Sequence, residues 1–186
     1  CLYRIYWLAA AMGLGVLVLS VSAISSQLLA LRRVEGLTVN FVHEAVYDSV
    51  TGLRNRHYLL DWLNSQISSA ARMDDSFHVL ILGLNGMEDI DNQYGAEVGC
   101  RLLIAIANRF RQTARAGDFA ARLGREKFAL VFSCAPDSRE VGRFSASLLR
   151  SLRKPLLREV PPESFSANIG VACYPEDGRT PTELIK

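Results

Sequence analysis

The hydrophobic pattern divides the chain into one long apolar run and a series of shorter, periodic ones. From Ile5 to Leu31 no charged residue occurs over 27 positions, more than the ~20 a helix needs to span a bilayer. Arg4 precedes the run and Arg32-Arg33 follow it, while Tyr3, Tyr6 and Trp7 cluster where an interfacial aromatic belt would sit. The run predicts a transmembrane helix within residues 1–31. A signal peptide fits less well, because the run is too long and no small-x-small cleavage site leads out of it. A buried core helix fits less well because it would rarely stay uncharged so long. Ala11 and Gly15 form a small-xxx-small pair that would let two such helices pack closely. Arg32-Arg33 place the C-terminal side in the cytoplasm, at the inner membrane.

Residues 32–47 mix apolar and charged positions and predict a helical stalk. Leu31, Val34, Thr38, Phe41 and Ala45 recur at three- and four-residue steps, a short seam suited to a homodimer, with a single helix lying on the domain as the alternative. A folded domain is expected over 48–186. Leu59, Leu63, Ile67 and Ala70 line one face of a helix opening at Asn55-Arg56. Phe77 to Leu84 is apolar almost throughout and predicts a buried strand. A short acidic helix is expected over Gly86–Asn92, and a longer one over Ala96–Thr113 with Val98, Leu102, Ala105, Ile106 and Phe110 inward. Phe119–Leu123 and Phe128–Phe132 predict two hairpin strands. Ser138–Leu152 predicts a helix, Ser164–Cys173 a strand, and Thr182 the opening of a further helix. A hairpin among mixed strands and helices requires antiparallel pairs in the sheet, so the class is α/β (α+β), with a mixed, partly antiparallel central sheet flanked by helices.

Composition changes this picture little. The mean hydropathy of +0.13 and 49% hydrophobic content are high for a soluble domain, and the Ile5–Leu31 run accounts for them. A net charge of +2 offers no basic stripe, so no nucleic-acid partner is expected. The four cysteines contain no CxxC pair and the three histidines are scattered, which predicts reduced thiols and suggests no zinc site.

The candidate chemistry centres on Ala120-Ala121-Arg122-Leu123-Gly124-Arg125-Glu126-Lys127-Phe128, apolar into a polar turn and apolar out of it. Gly124 can supply the positive φ that such turns often need. A bare backbone with an acidic residue can hold a phosphate and its metal; an ordinary surface turn is the alternative. Asp48-Ser49-Val50-Thr51-Gly52-Leu53-Arg54-Asn55-Arg56 opens the domain, a Tyr94-Gly95 turn follows the first strand and short helix, Arg115-Ala116-Gly117-Asp118 is separated from Gly124 by five residues, and Asn168-Ile169-Gly170-Val171-Ala172 forms the late strand. Over Asp48 to Lys186 this set resembles the GGDEF domain, the diguanylate cyclase family that makes cyclic di-GMP from two GTP, with a DxLTGLxNR-like opening, an RxxD pair and an SxGxA-type strand.

That resemblance implies a sheet like those of nucleotide cyclases and polymerase palms. It also implies Mg²⁺ held by carboxylates, since attack of a ribose hydroxyl on an α-phosphate needs a metal and a base. This chain departs from the pattern at the signature, which reads Gly124-Arg125-Glu126-Lys127-Phe128. The resemblance places a metal carboxylate at Gly83, a second Asp at Asn85, a phosphate-binding Lys at Glu88, and guanine-reading residues at Asp91 and Cys100. Cys100 is a poor acceptor, while Asp91 can still accept. Glu126 is left as the metal-ligand candidate, with Gly124 the remnant of the phosphate turn. Mg²⁺ is expected only in an active enzyme, and the substitutions predict an inactive one.

Arg115 and Asp118 are intact, and the resemblance makes them a product-binding site for cyclic di-GMP; an Arg fork on guanine O6 and N7 suits the chemistry. A helix-end salt bridge is the alternative. The expected function is a membrane-anchored regulatory module that senses cyclic di-GMP or GTP and dimerises. An active cyclase and a protein-interaction module without nucleotide are the rivals. The chain ends in what reads as the start of a helix, and the resemblance implies that this helix continues, with a phosphodiesterase domain among the possible followers.

Overall fold

A computed structural model of the chain describes residues 45–115, 117–132 and 138–186. The predicted membrane helix and all but the last three residues of the predicted stalk lie outside the described residues. No helix among the described residues is long and apolar enough to cross a membrane.

Helix α1 (Arg56–Met73) starts where Asn55 accepts the Tyr58 N–H on its side-chain oxygen, at 2.9 Å, which satisfies one of the donors a helix start leaves free. Its apolar face buries Leu59, Leu63 and Ala70. Strand β1 (Phe77–Asn85) follows, then α2 (Met87–Tyr94) and α3 (Ala96–Thr113). Gly95, at φ +91°, makes the break between these two helices, a backbone state that costs glycine little. Strands β2 (Phe119–Arg122) and β3 (Lys127–Val131) form the hairpin, and α4 (Ser138–Leu152) leads back to a 3₁₀ turn at Pro162–Ser164. Strand β4 (Ser166–Tyr174) and the short α5 (Pro181–Leu184), closed by a Thr180–Glu183 capping box, complete the described part.

The four strands lie in the order β2-β3-β1-β4, and every adjacent pair is antiparallel. The antiparallel pairs expected are present: the four strands pair antiparallel because β1 takes the hairpin on one side and β4 on the other, and a parallel bridge joins Arg54 to Ala121 at the β2 rim. Alternation along β1 then feeds two cores. Leu80, Leu82 and Leu84 pack with Ile90, Leu102, Ile106, Phe110, Phe128 and Leu148 under α2, α3 and α4. Val79 packs with Leu59, Leu63, Ala129 and Val131 under α1. Removing such side chains from water contributes about 2 kcal/mol each.

Two smaller expectations shift. On α3 the buried set also takes in Leu103 and Ala107, while Val98 packs half-buried against the core and Ala105 is half-buried, because α2 and α4 cover a wider arc than one stripe. β4 starts at Ser166, since Pro162–Ser164 is taken up by the 3₁₀ turn.

Candidate functional site

The hairpin tip is held from beneath by one arginine. Arg122, 8% exposed, donates from Nε to the Gly124 carbonyl at 2.9 Å and from Nη2 to the Arg125 carbonyl at 3.0 Å. Its Nη1 donates to Asp48 Oδ1 at 3.0 Å. Asp48 also accepts the Thr51 N–H (2.8 Å) and hydroxyl (2.7 Å). Burial opposes ionisation of Asp48, but the bonds from Thr51 and Arg122 outweigh it and hold its pKa below the ordinary value. The opening motif and the tip are therefore one electrostatic unit. Gly124 itself is not among the glycines with positive φ, and a Cβ there would meet nothing within 4 Å. The expectation of a left-handed residue at the tip is corrected: the four-residue loop 123–126 turns under the Arg122 clamp and needs no such state.

Beside the tip, Gly83 on β1 is the direct partner of Lys127 on β3 and of Asn168 on β4. Directly opposed residues in an antiparallel sheet share a face, so an α-hydrogen, an ammonium and an amide stand in a row. A Cβ on Gly83 would sit 2.5 Å from Asn168 Oδ1, so Asn168 fills the space a carboxylate at 83 would use. Glu126 is half-buried, and its carbonyl accepts the Leu84 N–H at 2.8 Å. Asn85 is exposed and donates to Ser166 Oγ at 3.4 Å. This donor set does not fit Mg²⁺, which seeks one or two carboxylates in near-octahedral geometry. Among the described residues no group of three His, Cys, Asp or Glu side chains could hold a metal.

On the other side of the tip, Arg125 forms an ion pair with Asp91 of α2. Asp91 reaches this position over Gly99 of α3: a Cβ on Gly99 would lie 1.8 Å from Asp91 Oδ1. Cys100, next along α3, is an exposed free thiol, and Glu88 is exposed in the first turn of α2. The tip cation is thus tied to the helix carboxylate instead of standing free.

Arg115 and Asp118 lie past the end of α3. Asp118 Oδ2 accepts the Arg115 N–H at 2.8 Å, and the Asp118 N–H returns to the Arg115 carbonyl at 3.1 Å. The Arg115 guanidinium pairs with Glu140 of α4. Of the residues singled out in the sequence, the structure brings together Gly83 with Lys127, Asp91 with Arg125, and Arg115 with Asp118. Sequence reasoning missed Asn168, Gly99 and Glu140. Asn168 was visible as the first residue of the late-strand motif, but only the sheet register places it over Gly83; nothing local pointed to the other two.

A family model described as Diguanylate cyclase, GGDEF domain matches residues 45–186. The chain is 36% identical over 141 residues to the bifunctional diguanylate cyclase/cyclic di-GMP phosphodiesterase MucR of Pseudomonas aeruginosa, a match covering 76% of this chain and 20% of MucR. It is 29% identical over 154 residues to the diguanylate cyclase TpbB of the same species, covering 82% of this chain and 35% of TpbB. The chain thus spans about a fifth to a third of the length of these curated relatives. A solved sensory box/GGDEF family protein from Caulobacter crescentus superposes with a TM-score of 0.67 at 30% identity, covering 75% of this chain and 90% of that one. On the match over residues 45–186, the chain belongs to the GGDEF-domain family of diguanylate cyclases.

Proposed function

We propose that this chain is a membrane-anchored regulatory GGDEF domain of cyclic di-GMP signalling that does not itself join two GTP. The observation that carries the loss of catalysis is the row Gly83–Lys127–Asn168, with glycine and an ammonium as cross-strand partners where the reaction needs metal-holding carboxylates. The ion pair between Arg125 and Asp91 supports the same reading, since it occupies a carboxylate that a base would use. Arg115 and Asp118 remain as the ligand-reading pair. The Arg115–Glu140 pair is 56% and 37% exposed at its side chains; such pairs contribute about 1 kcal/mol or less, so a guanine edge can displace Glu140 at small cost.

The test is calorimetric titration of the full chain in detergent micelles with cyclic di-GMP. Micromolar binding is expected, lost in Arg115→Ala and tightened in Glu140→Gln. Chromatography after incubation with GTP and Mg²⁺ is expected to show no cyclic di-GMP; product that disappears with Glu126→Ala overturns the inactive reading. Silence toward cyclic di-GMP and GTP alike leaves a protein-interaction module.

A further inference from the structure

A cavity lies beside the opening motif. Its volume is about 400 Å³, and Tyr47, Leu53, Arg54, Arg111, Asp118 and Phe119 are in its wall; Arg115 and Glu140 are not. The size falls within the range of small-molecule sites, roughly 300–1,000 Å³.

Arg54 is the unusual residue of this wall. Its guanidinium carbon lies 4.4 Å from the centre of the Tyr47 ring and 4.7 Å from that of Tyr58. The stacking continues, with Tyr58 on Phe119 at 5.9 Å between ring centroids and Phe119 on Trp62 at 4.5 Å. Two rings so close to the guanidinium restrict its motion. No carboxylate pairs with it among the described residues, and all three members of the sandwich are half-buried. A charged, five-donor group held in place on a stack of rings is preorganised for an acceptor of matching geometry, and phosphoryl oxygens provide one. Arg111, on the same wall, donates weakly to the Thr51 and Gly52 carbonyls at 3.5 and 3.3 Å and adds positive charge. Leu53 and Phe119 supply apolar wall for a base or sugar.

We propose that this cavity is a binding site for a nucleotide phosphate, with Arg54 as its anion-binding residue and Tyr47 and Tyr58 as the rings that hold Arg54 in place. The site is distinct from the Arg115 guanidinium and does not rest on the receptor reading above.

The experiment is calorimetric titration of the full chain in detergent micelles with GMP, with cyclic di-GMP and with inorganic phosphate, using the unsubstituted chain, Arg54→Gln, Arg54→Lys and Arg115→Ala. Saturable binding of GMP is expected, weakened about tenfold in Arg54→Gln, the loss of a charge-assisted pair of bonds. Arg54→Lys keeps the charge but not the fork, and is expected to weaken GMP several-fold; it decides the matter if the glutamine variant melts early. The proposal is overturned if GMP gives no heat, if phosphate alone binds as tightly as GMP, or if both Arg54 variants bind GMP as the unsubstituted chain does. Cyclic di-GMP binding that needs Arg115 while GMP is silent sinks this site and leaves the receptor reading standing. GMP binding that needs Arg54 while cyclic di-GMP is silent does the reverse.

Discussion

Arg122 carries its charge at 8% exposure with Asp48 as its carboxylate partner. Removing the partner's charge leaves a buried cation uncompensated, so Asp48→Asn is expected to cost about 3 kcal/mol in urea unfolding. The pH dependence follows from the same pair. The folded-state pKa of Asp48 lies below the unfolded one, so its contribution is complete above the unfolded value, about 4, and is lost as pH falls through that value toward the folded one. Unfolding midpoints should therefore drop on acidification below about pH 4 more steeply in the unsubstituted chain than in Asp48→Asn. The Arg125–Asp91 pair behaves differently, because Arg125 is 61% exposed. A double-mutant cycle should give a coupling under about 1 kcal/mol, and Gly99→Ala, whose Cβ displaces the Asp91 carboxylate, should reduce it to nearly nothing.

At the scale of elements, the sheet holds a continuous register through Gly83, which faces Lys127 on one side and Asn168 on the other. Gly83→Asp with Lys127→Glu is expected to give no Mg²⁺ binding while Asn168 stands over position 83. Adding Asn168→Ala should produce Mg²⁺-dependent heat in calorimetry that chelation abolishes; a triple variant as silent as the double would show that more than this row is missing. The elements were legible in the sequence because each has a strong period of its own: Leu59, Leu63 and Ala70 on α1, the near-continuous run Val79–Leu82 in β1, and the matched flanks of the hairpin. The site was legible only where its residues are close in sequence. Arg115 and Asp118 could be paired by eye, whereas Asn168 meets Gly83 through strand register, and Glu140 meets Arg115 through the packing of α4. The turn at Gly124 was misjudged for a related reason: the tip is shaped by Arg122, whose side-chain bonds a local reading of turn residues does not weigh.

At the scale of the molecule, the proposed anchoring makes a separable claim. Carbonate-washed membranes should retain the full chain and release one that begins at Glu44, where the compact unit Glu44–Lys186 starts; equal release of both would remove the anchor from the proposal. The two rims of the sheet are treated unequally. The β2 rim is bridged by Arg54, which pairs with Ala121 and accepts the Arg122 N–H at 2.8 Å. The β4 rim has no strand beside it among the described residues. Its nine residues, Ser-Ala-Asn-Ile-Gly-Val-Ala-Cys-Tyr, contain neither charge nor proline, and Val171 is 44% exposed. Such a border is a template on which another copy can add. Light scattering by the Glu44–Lys186 unit should grow with concentration, and Val171→Lys, a gatekeeper charge on the border, should suppress that growth. The colloidal behaviour of the Glu44–Lys186 unit is then governed by how β4 is covered.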